Sequence, residues 1–366
     1  MSDSLPNFVA AAVQSEPVFM DRDATVHKAC ELIAEAGKAG AKLIVFPETW
    51  IPTYPWWTSS RHVFAGDHYL ELWKNAVEVP SPATDRIAAA ACDTGAYVVM
   101  GINERDLATR GTLYNSLVYF GPDGALLQKH RKLIPTFTER TVWGFGDGSD
   151  LQVLETGLGR IGGLICWEHQ VTLAKFALYA QGEQVHCAAW PAYSSQNEHI
   201  DYGMRQYAFE GACFVVSACG MRSGALPEAY GGGEAPANGG SAIVGPDGRY
   251  LAGPVYGREE ILYAEIDLER AIREKHARDV GGHYARPDVF RLVVNASPKP
   301  AVQFSPRDEE RTGPAATEVI DRLEAVRDYL GSLINHIGDG DADMNAALEE
   351  ALASIDMAAA GMWARE

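Results

Sequence analysis

Short runs rich in Val and Ile alternate with helical patterns along most of this sequence, and that alternation narrows the fold more than any other feature. Phe8–Gln14, Lys42–Glu48, Tyr97–Glu104, Arg160–Cys166, Val185–Ala192 and Phe214–Gly220 read as strands. They are too short for ordinary helices and are made of residues that suit a buried, pleated surface. Pro47 stops the second of them, because proline cannot donate to a ladder. Between the strands, Asp23 is placed to cap a helix with Val26, Cys30, Ile33 and Ala36 on one face. Further helices are expected near Asp85–Thr94, Leu173–Gln181 and Ile200–Gly211. Strands alternating with helices predict an α/β fold whose sheets are covered by helices.

The two halves of the pattern echo each other. Asn115–Phe120 and Ala125–Lys132 form a hairpin across the turn Gly121-Pro-Asp-Gly124. Ala242–Gly245 and Arg249–Leu251 flank the same four residues at Gly245–Gly248, and Ile261–Asp267 is the last clear strand. The reading is one α/β domain, residues 1–300, built from two similar halves. Arg222–Gly240 is rich in Gly and Pro and reads as a long loop, of the kind that is usually functional or mobile.

Residues 301–366 depart from this pattern. They hold 14 Asp and Glu against 5 Lys and Arg, a net of -9, half of the whole chain's -18. Thr317–Ile337 places Val319, Leu323, Val326, Leu330, Leu333 and Ile337 three and four residues apart, which predicts an amphipathic helix with a narrow seam. Packing on this chain or on a neighbouring subunit is its expected purpose. The Ala- and acid-rich residues after Gly338 are expected to be poorly ordered. A net charge of -18 argues against nucleic acid and anionic membrane as partners. No basic and apolar leader opens the sequence, and no apolar run approaches the ~18 residues of a membrane span. The cytoplasm is the expected compartment. Of the six cysteines none forms a C-x-x-C pair, and all lie in or beside apolar stretches, so neither a disulfide framework nor a zinc site is expected.

Four residues could carry chemistry. Cys166 ends the run IGGLIC just before a predicted helix, where a nucleophile projects from a sheet edge and a helix N-terminus would lower its thiol pKa. From position alone, a buried core cysteine is the commoner case. Glu48 ends KLIVFPE and is either a solvated strand end or a group aimed into a site. Near Trp50, Tyr54, Trp56 and Trp57 it would make a capable general base. Lys132 ends the hairpin strand, where a lysine beside Lys129 and Arg131 more often belongs to a solvated face. Glu139 comes seven residues later and could equally serve a surface ion pair. His130 and His169 are read as structural, and His186, His199 and His283 lack metal-ligand spacing. No nucleotide-binding glycine motif is present.

The order FPE, KHRKLIP with Glu139 beyond it, and Cys166 before Trp167-Glu168 resembles the nitrilase superfamily, whose hallmark is a Glu-Lys-Cys triad. ETWIPTYPWW, TERTVWGFGDGSDLQV, CWEH, KFALYAQGEQVHCAAWP and GGHYARPDVF look like segments of its nitrilase branch. The resemblance runs from about Phe8 to Val294. It implies a four-layer α-β-β-α sandwich. It also implies Cys166 as nucleophile, Glu48 as general base, Lys132 as the cation stabilising the tetrahedral intermediate and Glu139 in support. Trp167, Tyr54, Trp190 and Trp57 are expected around the substrate. The implied reaction hydrolyses an organic nitrile, arylaliphatic or aliphatic, to acid and ammonia without metal or organic cofactor. The family also predicts a homo-oligomer, with dimers extended into spirals. Three other readings stay open: conversion of cyanide, an amidase using the same triad, and a non-catalytic assembly protein on this scaffold.

Overall fold

The computed structural model describes residues 5–59, 66–230, 232, 237–299, 316–337 and 342–363. Two compact units divide the chain, Met1–Lys299 and Pro300–Glu366. In the first, β1 (Asn7–Gln14), β2 (Ala41–Val45), β3 (Tyr97–Arg105), β4 (Leu113–Phe120) and β5 (Leu126–Arg131) form one sheet. A second holds β6 (Leu154–Thr156), β7 (Gly159–Ile165), β8 (Val185–Trp190), β9 (Phe214–Cys219), β10 (Gly239–Val244) and β11 (Tyr250–Tyr256). The chain then returns to the first sheet, where β12 (Glu260–Asp267) pairs antiparallel with β1.

The two sheets repeat one pattern. β1, β2 and β3 are parallel neighbours, continued by the antiparallel β4 and β5. β7, β8 and β9 are parallel neighbours, continued by the antiparallel β10 and β11. β12 closes the far edge of the first sheet as β6 closes that of the second, so each reads antiparallel, three parallel, antiparallel, antiparallel. The two Gly-Pro-Asp-Gly turns close the equivalent hairpins, with Gly124 and Gly248 at positive φ where a side chain would clash.

Strand alternation sorts the core. Phe8, Ala10, Ala12, Leu43, Val45, Val99, Leu117 and Tyr119 face the second sheet. Ala11, Val13, Ile44, Val98, Met100 and Val118 point the other way, against α1 (Arg22–Lys38) and α3 (Pro82–Thr94). On the far side of the second sheet lie α4 (Thr172–Ala180) and α5 (Asn197–Gly211), which bury Ala174, Leu178, Ile200 and Met204. The layers are thus helix, sheet, sheet, helix, as expected. α1 begins two residues before its expected start. Asp21, not Asp23, is its cap and accepts from the Ala24 N–H at 2.9 Å. α2 (Gly66–Asn75) and α6 (Leu268–Ala277) went unread in the sequence, as did β6. The loop expected over Arg222–Gly240 holds a short 3₁₀ turn at Glu228–Tyr230 and reaches β10 at Gly239, and its residues 231 and 233–236 lie outside those described.

In the second unit, α7 (Ala316–Ile337) covers the predicted amphipathic segment and packs on α8 (Ala342–Trp363). Leu323, Leu330 and Leu333 are half-buried, whereas Val326 is exposed. The side chains of Val319 and Ile337 lie outside those described. α8 occupies most of the segment after Gly338: its many alanines lose no side-chain entropy on coiling and favour helix.

Gly101, in the middle of β3, lets the segment after β2 pass close by. A Cβ there would overlap the Pro47 carbonyl, one residue before Glu48. Gly101→Ala is expected to destabilise the fold by about 1–3 kcal/mol through overpacking, and to cut activity by displacing Glu48. Urea unfolding and steady-state rates measure the two effects.

Candidate active site

Topology brings the site together. β5 runs antiparallel to β4, and β4 antiparallel to β3, so the C-terminal ends of β2 and β5 and the start of β4 share one sheet edge. Glu48 lies just beyond β2, Lys132 just beyond β5, and Asn115 near the start of β4. The ladder continues past β5, with the Lys132 N–H donating to the Asn115 carbonyl at 2.8 Å. Cys166 comes from the other sheet, directly after β7.

Lys132 is fully buried, and its ammonium donates at 2.8 Å to both Glu48 Oε1 and Glu139 Oε2. Carboxylate oxygens of Glu48 and Glu139 and the sulfur of Cys166 all lie within 4.8 Å of one another. Asn115 Nδ2 donates to Glu48 Oε1 at 2.5 Å, Tyr54 Oη to Glu139 Oε1 at 2.9 Å, and the Thr136 N–H to Glu139 Oε2 at 2.7 Å. Glu48 Oε2 is buried and has no hydrogen-bond partner among the described residues. It is the one carboxylate oxygen of the pair left over for another reactant. Two carboxylates and a thiol could hold a cation, but the Lys132 ammonium already sits between the carboxylates and supplies that positive charge.

One ammonium lies between two carboxylates, and burial, together with these charges, sets the protonation equilibria. Burial pushes the Glu48 carboxyl up to about 7, opposed by Lys132 and reinforced by Glu139. Burial works against the Lys132 charge, but Glu48 and Glu139 outweigh it and hold the ammonium well above the usual lysine range. The Cys166 thiol corrects the sequence expectation. Burial and the Glu48 carboxylate raise it well above the ordinary thiol range, outweighing Lys132 and the Trp167 N–H. Cys166 opens a five-residue 3₁₀ turn, Cys166–Gln170, too short to supply the helix dipole expected there. The thiol therefore stays protonated until a base takes its proton.

Cys166 has φ +51°, the left-handed region, where a residue with a Cβ costs about 1–3 kcal/mol. Its neighbours hold the turn. Glu168 accepts from the Ile165 N–H at 2.8 Å, from the Leu133 N–H at 2.8 Å and from His130 Nε2 at 3.0 Å. His130 Nδ1 meets Asp150 at 3.3 Å. Burial opposes the His130 charge, but Glu168 and Asp150 push it up to about 10, and His130 in turn keeps Glu168 below the usual carboxylate range. One buried ion pair thus ties the residue after Lys132 to the residue before Cys166.

A narrow cleft beside Glu48 is lined by Tyr54, Trp56, Pro191, Met221, Arg222 and Glu16. Of the expected substrate contacts, Tyr54 lines this cleft. Trp167 adjoins Cys166, half-buried against the His199 ring. Trp190 is placed elsewhere, stacked on His169 in the core, and Trp57 packs on Tyr230 and His68. Sequence reasoning missed Asn115 and Glu168. A polar Asn inside an apolar strand was the available signal for the first.

The model of the carbon–nitrogen hydrolase family matches residues 9–275, and the chain belongs to that family. Its place there is with the nitrilases. An aliphatic nitrilase of Sinorhizobium fredii is 42% identical over 311 residues, 81% of this chain and 99% of that protein. A bifunctional nitrilase/nitrile hydratase of Lupinus angustifolius is 40% identical over 82% of this chain and 89% of its own length. Saccharomyces cerevisiae Nit3, of branch 10 of the nitrilase superfamily, superposes with a TM-score of 0.63 at 24% identity, covering 74% of this chain and 94% of that one. A Helicobacter pylori carbon–nitrogen hydrolase gives 0.63 at 21% identity, over 79% and 100%. Both structures share the fold.

The raised Glu48 carboxyl has a consequence for stability. A folded-state pKa above the unfolded value of about 4.5 stabilises the fold at low pH, and that contribution is lost as pH rises through about 7. Urea unfolding at pH 6 and pH 8 is expected to show the wild type losing stability over this interval. Glu48→Gln, which cannot ionise, should flatten the difference.

Proposed function

We propose that this chain hydrolyses organic nitriles, arylaliphatic or aliphatic, to carboxylic acid and ammonia through a covalent intermediate on Cys166. The observation that carries the reading is the buried cluster in which Lys132 bridges Glu48 and Glu139 at 2.8 Å beside the Cys166 sulfur. A nitrile carbon reacts poorly with water, and a sulfur nucleophile divides the reaction into easier steps. Glu48, half-ionised near neutrality, takes the thiol proton as sulfur bonds to the nitrile carbon. That proton passes to the nitrogen and gives a thioimidate. Glu48 then deprotonates a water that adds to the same carbon. Lys132 stabilises the charge of the tetrahedral species, and Glu139 holds Lys132 in place. Loss of ammonia leaves a thioester, and a second water releases the acid and restores the thiol. If sulfur leaves the tetrahedral species first, the product is the amide.

The homo-oligomer, dimers extended into spirals, belongs to the same proposal. Leu173, Tyr202 and Phe209, exposed on α4 and α5, support a subunit contact. Residues 301–366 are assigned to subunit packing as well. A chain ending near residue 310 should elute later from a sizing column by more than its lost mass, and an unchanged assembly would remove that role. We place the protein in the cytoplasm, which suits six cysteines of which none is disulfide-bonded.

Ammonia release from phenylacetonitrile, mandelonitrile, an aliphatic nitrile, cyanide and the matching amides tests the reaction. Release from organic nitriles, abolished in Cys166→Ala, is expected. Release from amides or cyanide alone would overturn the substrate. kcat/KM should rise with pH through about 7, as Glu48 becomes a base in the free enzyme.

A further inference from the structure

Beyond the Cys166 carbonyl lies a second set of buried polar groups. His169 Nδ1 is 2.6 Å from the Cys166 carbonyl oxygen, and His169 Nε2 is 2.9 Å from His186 Nε2. His186 Nδ1 is 2.7 Å from Glu183 Oε1, and Glu183 Oε2 accepts from the Tyr207 hydroxyl at 2.6 Å. His169, His186, Glu183 and Tyr207 are all at most 1% exposed. His169 stacks on Trp190 and His186 on Tyr207. The strand beneath leaves room for the carboxylate: a Cβ at Gly162 would overlap Glu183.

Proton counting constrains this relay. A carbonyl only accepts, so His169 Nδ1 carries a hydrogen. Each of the other two contacts, nitrogen to nitrogen and nitrogen to carboxyl oxygen, also needs one. Two neutral imidazoles supply two protons and a carboxylate none. Three are required.

The peptide at the head of the relay is the one that joins Cys166 to Trp167. Its carbonyl is held by His169, and its N–H faces the Cys166 sulfur. In a trans peptide the two point in opposite directions, so fixing the carbonyl in the core aims the N–H at the reacting sulfur. We propose that His169, His186 and Glu183 are positioning residues that together hold three protons and so lock the Cys166–Trp167 peptide with its N–H toward the reaction centre. The positioning role rests on Cys166 being the nucleophile; the proton count does not. Burial and the neighbouring His186 press His169 toward the neutral form.

Two substitutions separate this role from simple packing. Glu183→Gln keeps three protons, because its amide can donate to His186 Nδ1 while its oxygen accepts from Tyr207. Glu183→Leu leaves two. The Gln variant is expected to retain wild-type kcat. The Leu variant should lose about 10- to 100-fold in kcat with KM within about twofold, as when an orienting partner is removed. His169→Phe, which keeps the stack on Trp190, should match the Leu variant in kcat, with a lowered melting temperature because the buried Cys166 carbonyl and His186 Nε2 lose their partner. A Gln variant as slow as the Leu variant, or a folded Leu variant at wild-type kcat, would overturn the proposal. Neutron diffraction from the deuterated wild type decides the proton count even if the Leu variant does not fold, and whatever the substrate proves to be. A deuteron in each of the three contacts is expected, and only two would overturn it.

Discussion

A single ammonium shared by two buried carboxylates governs this site. Glu48 and Glu139 hold the Lys132 charge in the interior against the cost of burial, and Lys132 in turn opposes the burial that raises the Glu48 carboxyl. The surrounding hydrogen bonds from Asn115, Tyr54 and the Thr136 N–H compensate what one cation cannot. Because the cluster is buried and already holds two carboxylates against one ammonium, it resists accepting a third anion. The Cys166 thiol therefore keeps its proton at rest, and reactivity depends on a base beside it rather than on a preformed thiolate. Burial, opposed by Lys132 and reinforced by Glu139, brings Glu48 to a protonation balance near neutrality, where it can take a proton and return it within one turnover.

The strained cysteine needs support from behind, and it has two sources. On one side Glu168 and His130 join the turn to the hairpin that carries Lys132. On the other, His169 reaches through His186 to Glu183. Residues 168 and 169 are adjacent in sequence yet face opposite ways into separate networks. A tight 3₁₀ turn makes that divergence possible and accounts for why the turn does not extend into a longer helix.

Much of this was legible in the sequence for a definite reason. Buried strands leave dense apolar runs, and the repeated Gly-Pro-Asp-Gly turns marked the equivalent hairpins of two halves whose sheets prove to repeat one strand order. Glu48 and Cys166 each end such a run, whereas Lys132 ends the polar hairpin strand ALLQKHRK and stood out only through the resemblance. The misses were local or long-range. α2 buries only Leu72, and α6 only Leu268 and Ala271, too little to imprint a helical period. Asp21 and Asp23 compete as caps on equal terms until geometry decides. The thiol's state depended on burial and on Glu48, 118 residues away in sequence, which no local pattern near Cys166 reports. Trp190 was expected around the substrate as one of the aromatics of a segment resembling the nitrilases, yet its ring stacks on His169.

The nucleophile stands on one sheet, and the base and the ammonium stand on the other. The strands that carry them share no ladder, and the space between is filled by the interlocked side chains of the inter-sheet core. The gap between the sheets is therefore a chemical coordinate as well as a structural one. A methyl group added or removed at Leu117 or Val45, with no polar atom involved, would change how far a proton must travel from sulfur to carboxylate. Catalytic rate in such a molecule gauges how tightly its two halves are packed, and the oil of the core acts as the vernier of the reaction.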